Sequence, residues 1–162
     1  MVSEIGRSAT PILMPLYADE EITVAETDGL GTIANAQNVF TGYLDPDFKN
    51  WGTDVPSDPT EEQEVKVYEM CEDATFAETF GSLGELGKLV LTQGQIICFC
   101  IDHRDKLRTN CHSTFFLFKV GEEYLVVVVS VRRHKLEVNV HRFGDSYVWS
   151  ADCRYRVVAP QL

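Results

Sequence analysis

One run of residues, Tyr124-Leu125-Val126-Val127-Val128-Val129-Ser130-Val131, limits what this chain can become more than any other. A β-strand sends successive side chains to opposite faces, so a strand with one wet face alternates apolar and polar residues. Here that alternation is missing, and the run predicts a strand covered on both sides of its sheet. Its neighbours read as strands too. Phe116, Phe118 and Val120 alternate with Phe115, Leu117 and Lys119, and Gly121-Glu122 turns the chain into the valine run. Arg132-Arg133-His134 marks the next turn, after which Leu136, Val138 and Val140 alternate with Glu137, Asn139 and His141. Beyond Gly144-Asp145, residues 147–149 and 154–158 complete the pattern. Consecutive strands joined by such short connections predict an antiparallel meander of about five strands in the C-terminal half.

The middle of the chain predicts helices. Three threonines are each followed three residues later by Glu or Gln: Thr60 with Gln63, Thr75 with Glu78, and Thr92 with Gln95. In that spacing the hydroxyl caps a free N–H while the longer side chain reaches back to the capping residue's own N–H. The first signature predicts a helix to about Glu72, the second a short helix carrying Phe76 and Phe80, and the third a helix to about Arg108. Before Thr60, Pro11 and Pro15 break the apolar residues around them, and Trp51-Gly52, Pro56 and Asp58-Pro59 suit a structured loop. The N-terminal stretch is placed across a sheet edge. The expectation is one α+β domain over 1–162: a loop-rich acidic segment (1–59), a helical segment (60–108) and an antiparallel sheet (112–160). Two or three helices would pack on one face, leaving the other to the N-terminal segment or to a second copy of the chain.

Charge is unevenly spread. Residues 1–80 hold 17 acids and 3 bases, and the remainder 8 acids and 11 bases, so −14 and +3 make up the net −11. Such a balance disfavours direct nucleic-acid binding, which needs several converging cations, and permits attraction to a basic protein partner. Five cysteines without a disulfide framework fit reduced thiols in a cytoplasm. The first seven residues lack the basic and apolar regions of a leader, and no apolar run approaches the roughly 20 residues that span a bilayer. A cytoplasmic protein without membrane contact is expected.

Reactive constellations are scarce. Cys98 and Cys100 form a C-x-C pair followed by His103, Cys111 and His112, but on a helix residues two apart point about 200° apart and cannot share an ion. Buried structural thiols are the simpler reading, and no metal, cofactor or catalytic residue is predicted. Asp45 and Asp47 flank Pro46 near Trp51, where two acids beside an aromatic suit a sugar or a cation; the competing reading is an Asp-Pro-Asp turn. Asp45, Asp47 and Trp51 are the candidate ligand-binding residues. Arg132 and Arg133, in the densest basic patch, are the candidate interaction residues, against the alternative of a solubilising turn. No phosphate-binding glycine loop or nucleophile elbow is present, and Gly81, Gly84 and Gly87 are spaced as turn residues.

Residues 40–54 (FTGYLDPDFKNWGTD), 113–120 (STFFLFKV) and 157–162 (VVAPQL) resemble an uncharacterised family of small bacterial proteins, including some carried on mobile gene cassettes. The resemblance implies bacterial origin and a single domain, and it carries over no activity, cofactor or site residue. Taken together, the residues favour a non-enzymatic binding or accessory protein acting through protein–protein contacts, with homo-oligomerisation or a basic partner. Two alternatives stay open: a small-molecule-binding domain or enzyme with a pocket at residues 45–51, and an acidic mimic of nucleic acid.

Overall fold

The computed structural model describes residues 11–110 and 112–161. The reading of the first seven residues, and Cys111 among the thiols, lie outside them. Eight strands form one sheet: β1 (Leu13–Leu16), β2 (Ile22–Val24), β3 (Tyr43–Leu44), β4 (Gln63–Met70), β5 (Ser113–Val120), β6 (Glu123–Arg132), β7 (Lys135–Arg142) and β8 (Arg156–Pro160). Across the sheet they run β1-β4-β8-β5-β6-β7-β3, and β2 continues the β1 edge alongside β4. Three α-helices accompany them among the described residues: α1 (Asp47–Asn50), α2 (Phe76–Gly81) and α3 (Gln93–Asp102).

The meander survives only as β5-β6-β7, paired antiparallel from Ser113↔Ser130 through Arg132↔Lys135. The sheet as a whole is mixed and larger than the five antiparallel strands expected. After β7 the chain crosses back and inserts β8 between β4 and β5, antiparallel to the first and parallel to the second. Burial explains the placement: Val157, Val158 and Ala159 are all enclosed, and three consecutive buried residues suit an interior strand, not a closing edge. A second parallel pair, β3 on β7, closes the opposite rim.

The helix expected from Thr60 to Glu72 is instead strand β4. Val65 and Val67 alternate with Glu64 and Lys66, the period of two of a strand and not the 3.6 of a helix. Partners on both sides, β1 and β2 on one and β8 on the other, satisfy its backbone along its length. Thr60 caps nothing; its hydroxyl meets that of Thr27 at 2.7 Å, and the two residues form a β-bridge. The other two signatures do make capping boxes. Thr75 and Glu78 exchange both bonds, as do Thr92 and Gln95. The expected continuation of α3 to Arg108 fails at His103, whose Nε2 donates to the Thr23 carbonyl of β2 at 2.7 Å; a separate 3-10 turn, Arg104–Lys106, follows.

Both faces of the valine run are covered. Val127 and Val129 face α3 together with Phe116, Phe118 and Val158, packing on Ile96 and Phe99. Val126 and Val128 face the other way with Phe115, Leu117 and Val157, packing on Phe76, Phe80 and Leu89. The helices therefore lie on opposite faces, not on one, because β6 needs apolar cover on each side. The chain supplies both layers itself, and no second copy is required to shield this strand.

Candidate functional site

A concave surface with chemically distinctive lining lies on the α2 face, where β7 ends. Val140 belongs to the α3-side core, so strand alternation turns His141 to the α2 side. There its ring lies 5.8 Å from Phe76 and 5.7 Å from Trp149. Gly144-Asp145 turns the chain, with the Asp145 N–H donating to the Arg142 carbonyl and Asp145 Oδ1 accepting from the Tyr147 N–H at 3.0 Å. Asp145 Oδ2 stands 3.9 Å from His141 Nδ1.

Trp149 is fixed at the centre. Its backbone exchanges hydrogen bonds with Ala74 (2.9 and 3.2 Å), and the Ala151 N–H donates to Asp73 Oδ1 at 2.8 Å, so the β7–β8 excursion is pinned just before α2. Around the indole stand Phe76 (5.2 Å), Phe115 (5.0 Å), Tyr155 (5.1 Å) and Tyr147 (4.9 Å) between ring centroids. Most of these contacts are edge-to-face, the arrangement that aromatic quadrupoles favour. The Trp149 Nε1 hydrogen is buried without an acceptor. Burial, followed by the Cys153 hydrogen bond, pushes the Tyr155 hydroxyl pKa up to about 12. His141, Asp145, Tyr147 and Trp149 line a recess of about 270 Å³. At its lip Tyr147 and Val148 are 60% and 55% exposed, unusual for large apolar side chains placed side by side.

The residues singled out from sequence are placed elsewhere. Asp45 spends both carboxylate oxygens on backbone: Oδ1 accepts from the Asp47 N–H at 2.9 Å and Oδ2 from the Val140 N–H at 3.2 Å. It thereby opens α1 and extends the β3–β7 pairing by one bond. Asp47 Oδ1 accepts from Asn50 at 3.3 Å. Trp51 packs on the α3-side core with the Arg142 guanidinium 4.2 Å above its ring. Asp45, Asp47 and Trp51 are thus close together, but as a turn, a helix start and a stacked pair.

Arg132 and Arg133 sit at the β6–β7 hairpin. Arg133 and His134 both have positive φ (52° and 65°), as tight two-residue hairpins demand, and Arg132 pairs with Glu137 at 3.5 Å. The Arg104 side chain donates to the His134 carbonyl, the Arg108 side chain to Cys153 and that of Arg156 to Lys106. These links gather Arg104, Lys106, Arg108, Arg132, Arg133, Lys135, Arg154 and Arg156 along one end of the sheet.

Three of the four described thiols are disfavoured as nucleophiles. Cys71, Cys98, Cys100 and Cys153 are free, and burial pushes the thiol pKa values of Cys71, Cys98 and Cys100 upward, away from the reactive thiolate. Among the described residues no group of three or more His, Cys, Asp or Glu could hold a metal ion, and no helix is long and apolar enough to cross a membrane. The recess was missed from sequence because its lining, although confined to residues 141–149, is shaped by Phe76, Phe115 and Tyr155 packing behind Trp149. The available signal was local: Tyr147-Val148-Trp149 after a Gly-Asp turn places large apolar residues where a loop should be polar. Comparison of the chain with family models, curated proteins and solved structures finds no match.

Proposed function

We propose that this chain is a non-enzymatic binding or accessory protein that acts through protein–protein contacts. One contrast carries the reading. Several side chains with chemistry to offer are occupied structurally: Cys100 is sealed in the core, His103 holds β2, and Asp45 is divided between two backbone donors. The α2 face instead presents an aromatic recess with an exposed apolar lip, a surface suited to a partner. A basic protein fits the net charge of −11.

The reading is tested with two parallel incubations of the purified chain, one with a metabolite extract and one with the protein fraction of a bacterial lysate. Recovery of a stoichiometric protein complex, lost in a Tyr147→Ala, Val148→Asp double variant, is expected. Time-dependent consumption of a metabolite that requires the folded chain would overturn it.

A further inference from the structure

We infer that the recess at the end of β7 takes a lysine side chain presented by a basic polypeptide. The inference rests on the binding reading above and adds the chemistry of the contact. Tyr147 and Trp149 meet at 77°, forming a corner of two π-systems, and the Tyr147 ring is mostly open to solvent. An aromatic face attracts a cation through its quadrupole. The Asp145 carboxylate lies in the same lining and adds a full opposite charge. Arg142, the neighbouring cation in sequence, does not compete: it is turned to the other face, over Trp51 and paired with Glu123.

The lip decides for a polypeptide over a free amine. Val148 and Tyr147 extend apolar surface beyond the recess, where a four-carbon stem and the flanking backbone of a partner would lie while the ammonium reaches Asp145. A small cation would leave that surface uncovered.

The test uses the full chain and three probes: n-butylammonium, a capped pentapeptide of four alanines around a central lysine, and the same pentapeptide with norleucine. Binding is followed by NMR shifts of the Trp149 indole and the backbone amides of residues 145–149. The lysine peptide is expected to bind at least threefold tighter than butylammonium and at least tenfold tighter than the norleucine peptide. Asp145→Asn keeps an oxygen acceptor for the Tyr147 N–H and removes only the charge; it should weaken the lysine peptide about fivefold, as should Tyr147→Ala. Glu62→Gln makes the same charge change at the far end of β4 and should leave affinity unchanged.

Equal binding of the norleucine peptide, or equal loss in the Glu62→Gln variant, overturns the inference, as does a peptide no tighter than the free amine. If the lysine peptide does not bind but the lysate complex forms and survives in the Tyr147→Ala variant, the recess assignment falls and the binding reading stands. If neither forms, both fall.

Discussion

The two faces of one sheet are closed in different ways. On one, the ten-residue α3 buries six of its residues, with Phe99 meeting Phe116 of the sheet at 5.6 Å. On the other, the six-residue α2 buries three, and further cover comes from Leu89 and from Trp149, Tyr155 and Phe143, rings brought in by the β7–β8 excursion. A regular helix lays one continuous face on the sheet, with recesses along its flanks, whereas rings gathered from irregular backbone leave edges and corners within the cover itself. The recess lies on the ring-covered side for that reason, and the α3 side is the rigid support.

The largest test of this difference uses adjacent residues of β5 that point to opposite faces. Phe115 and Phe116 are both fully buried, and truncating either to alanine should cost about 3–5 kcal/mol. Their local consequences should differ. Phe115 touches Phe76, Trp149 and Tyr155, so Phe115→Ala should shift Trp149 emission and loosen the recess. Phe116→Ala should lower the melting temperature and leave Trp149 emission in place. Measured in a Trp51→Phe background, which isolates Trp149, equal spectral shifts in the two variants would mean that the faces are not independent.

The same division explains which features could be read in advance. The valine run demanded cover on both sides because it carries no polar alternation, and both sides are covered. The boxes at Thr75 and Thr92 are local, formed by residues three apart, and they form as the spacing implies. Thr60 carries the same spacing and fails because a long-range partner, Thr27, takes its hydroxyl while β8 and the β1–β2 edge claim the backbone beyond it. The insertion of β8 beside β5 is likewise a choice between distant pairings, which local pattern does not contain. At the site, the turn-forming role of Asp45 was among the readings open from sequence, whereas the grouping of His141 and Trp149 with Phe76 depends on the crossing of the excursion over α2.

A smaller effect probes the helices themselves. Thr92→Ala and Thr75→Ala each remove a capping hydroxyl, worth about 1 kcal/mol. The α3 variant should lower the melting temperature without altering exchange around Trp149, since α3 has no part in that cluster. The α2 variant should increase amide exchange at Ala74 and Trp149, whose mutual bonds rest on the first turn of α2. If Thr92→Ala exposes the Trp149 amide as readily as Thr75→Ala does, the support on the α3 side is not rigid.

The effect with no consequence at neutral pH concerns Cys100, buried between α3 and the sheet. Burial raises its thiol pKa above the ordinary 9.0, with only Arg104 acting in the opposite direction. Below pH 9 the thiol is protonated in both folded and unfolded chains, and stability does not depend on it. Above pH 9 the unfolded chain releases the proton while the folded core retains it, so the unfolded state gains free energy that the folded state cannot match. Stability should therefore fall as pH rises past about 9, by at most about 1.4 kcal/mol per pH unit from this group. Cys98 and Tyr155, also raised by burial, add to the decline. Urea titrations at pH 8 and 10 should show a steeper loss for the unaltered chain than for Cys100→Ala, and equal losses would mean that water reaches the thiol and that the α3 face is not closed.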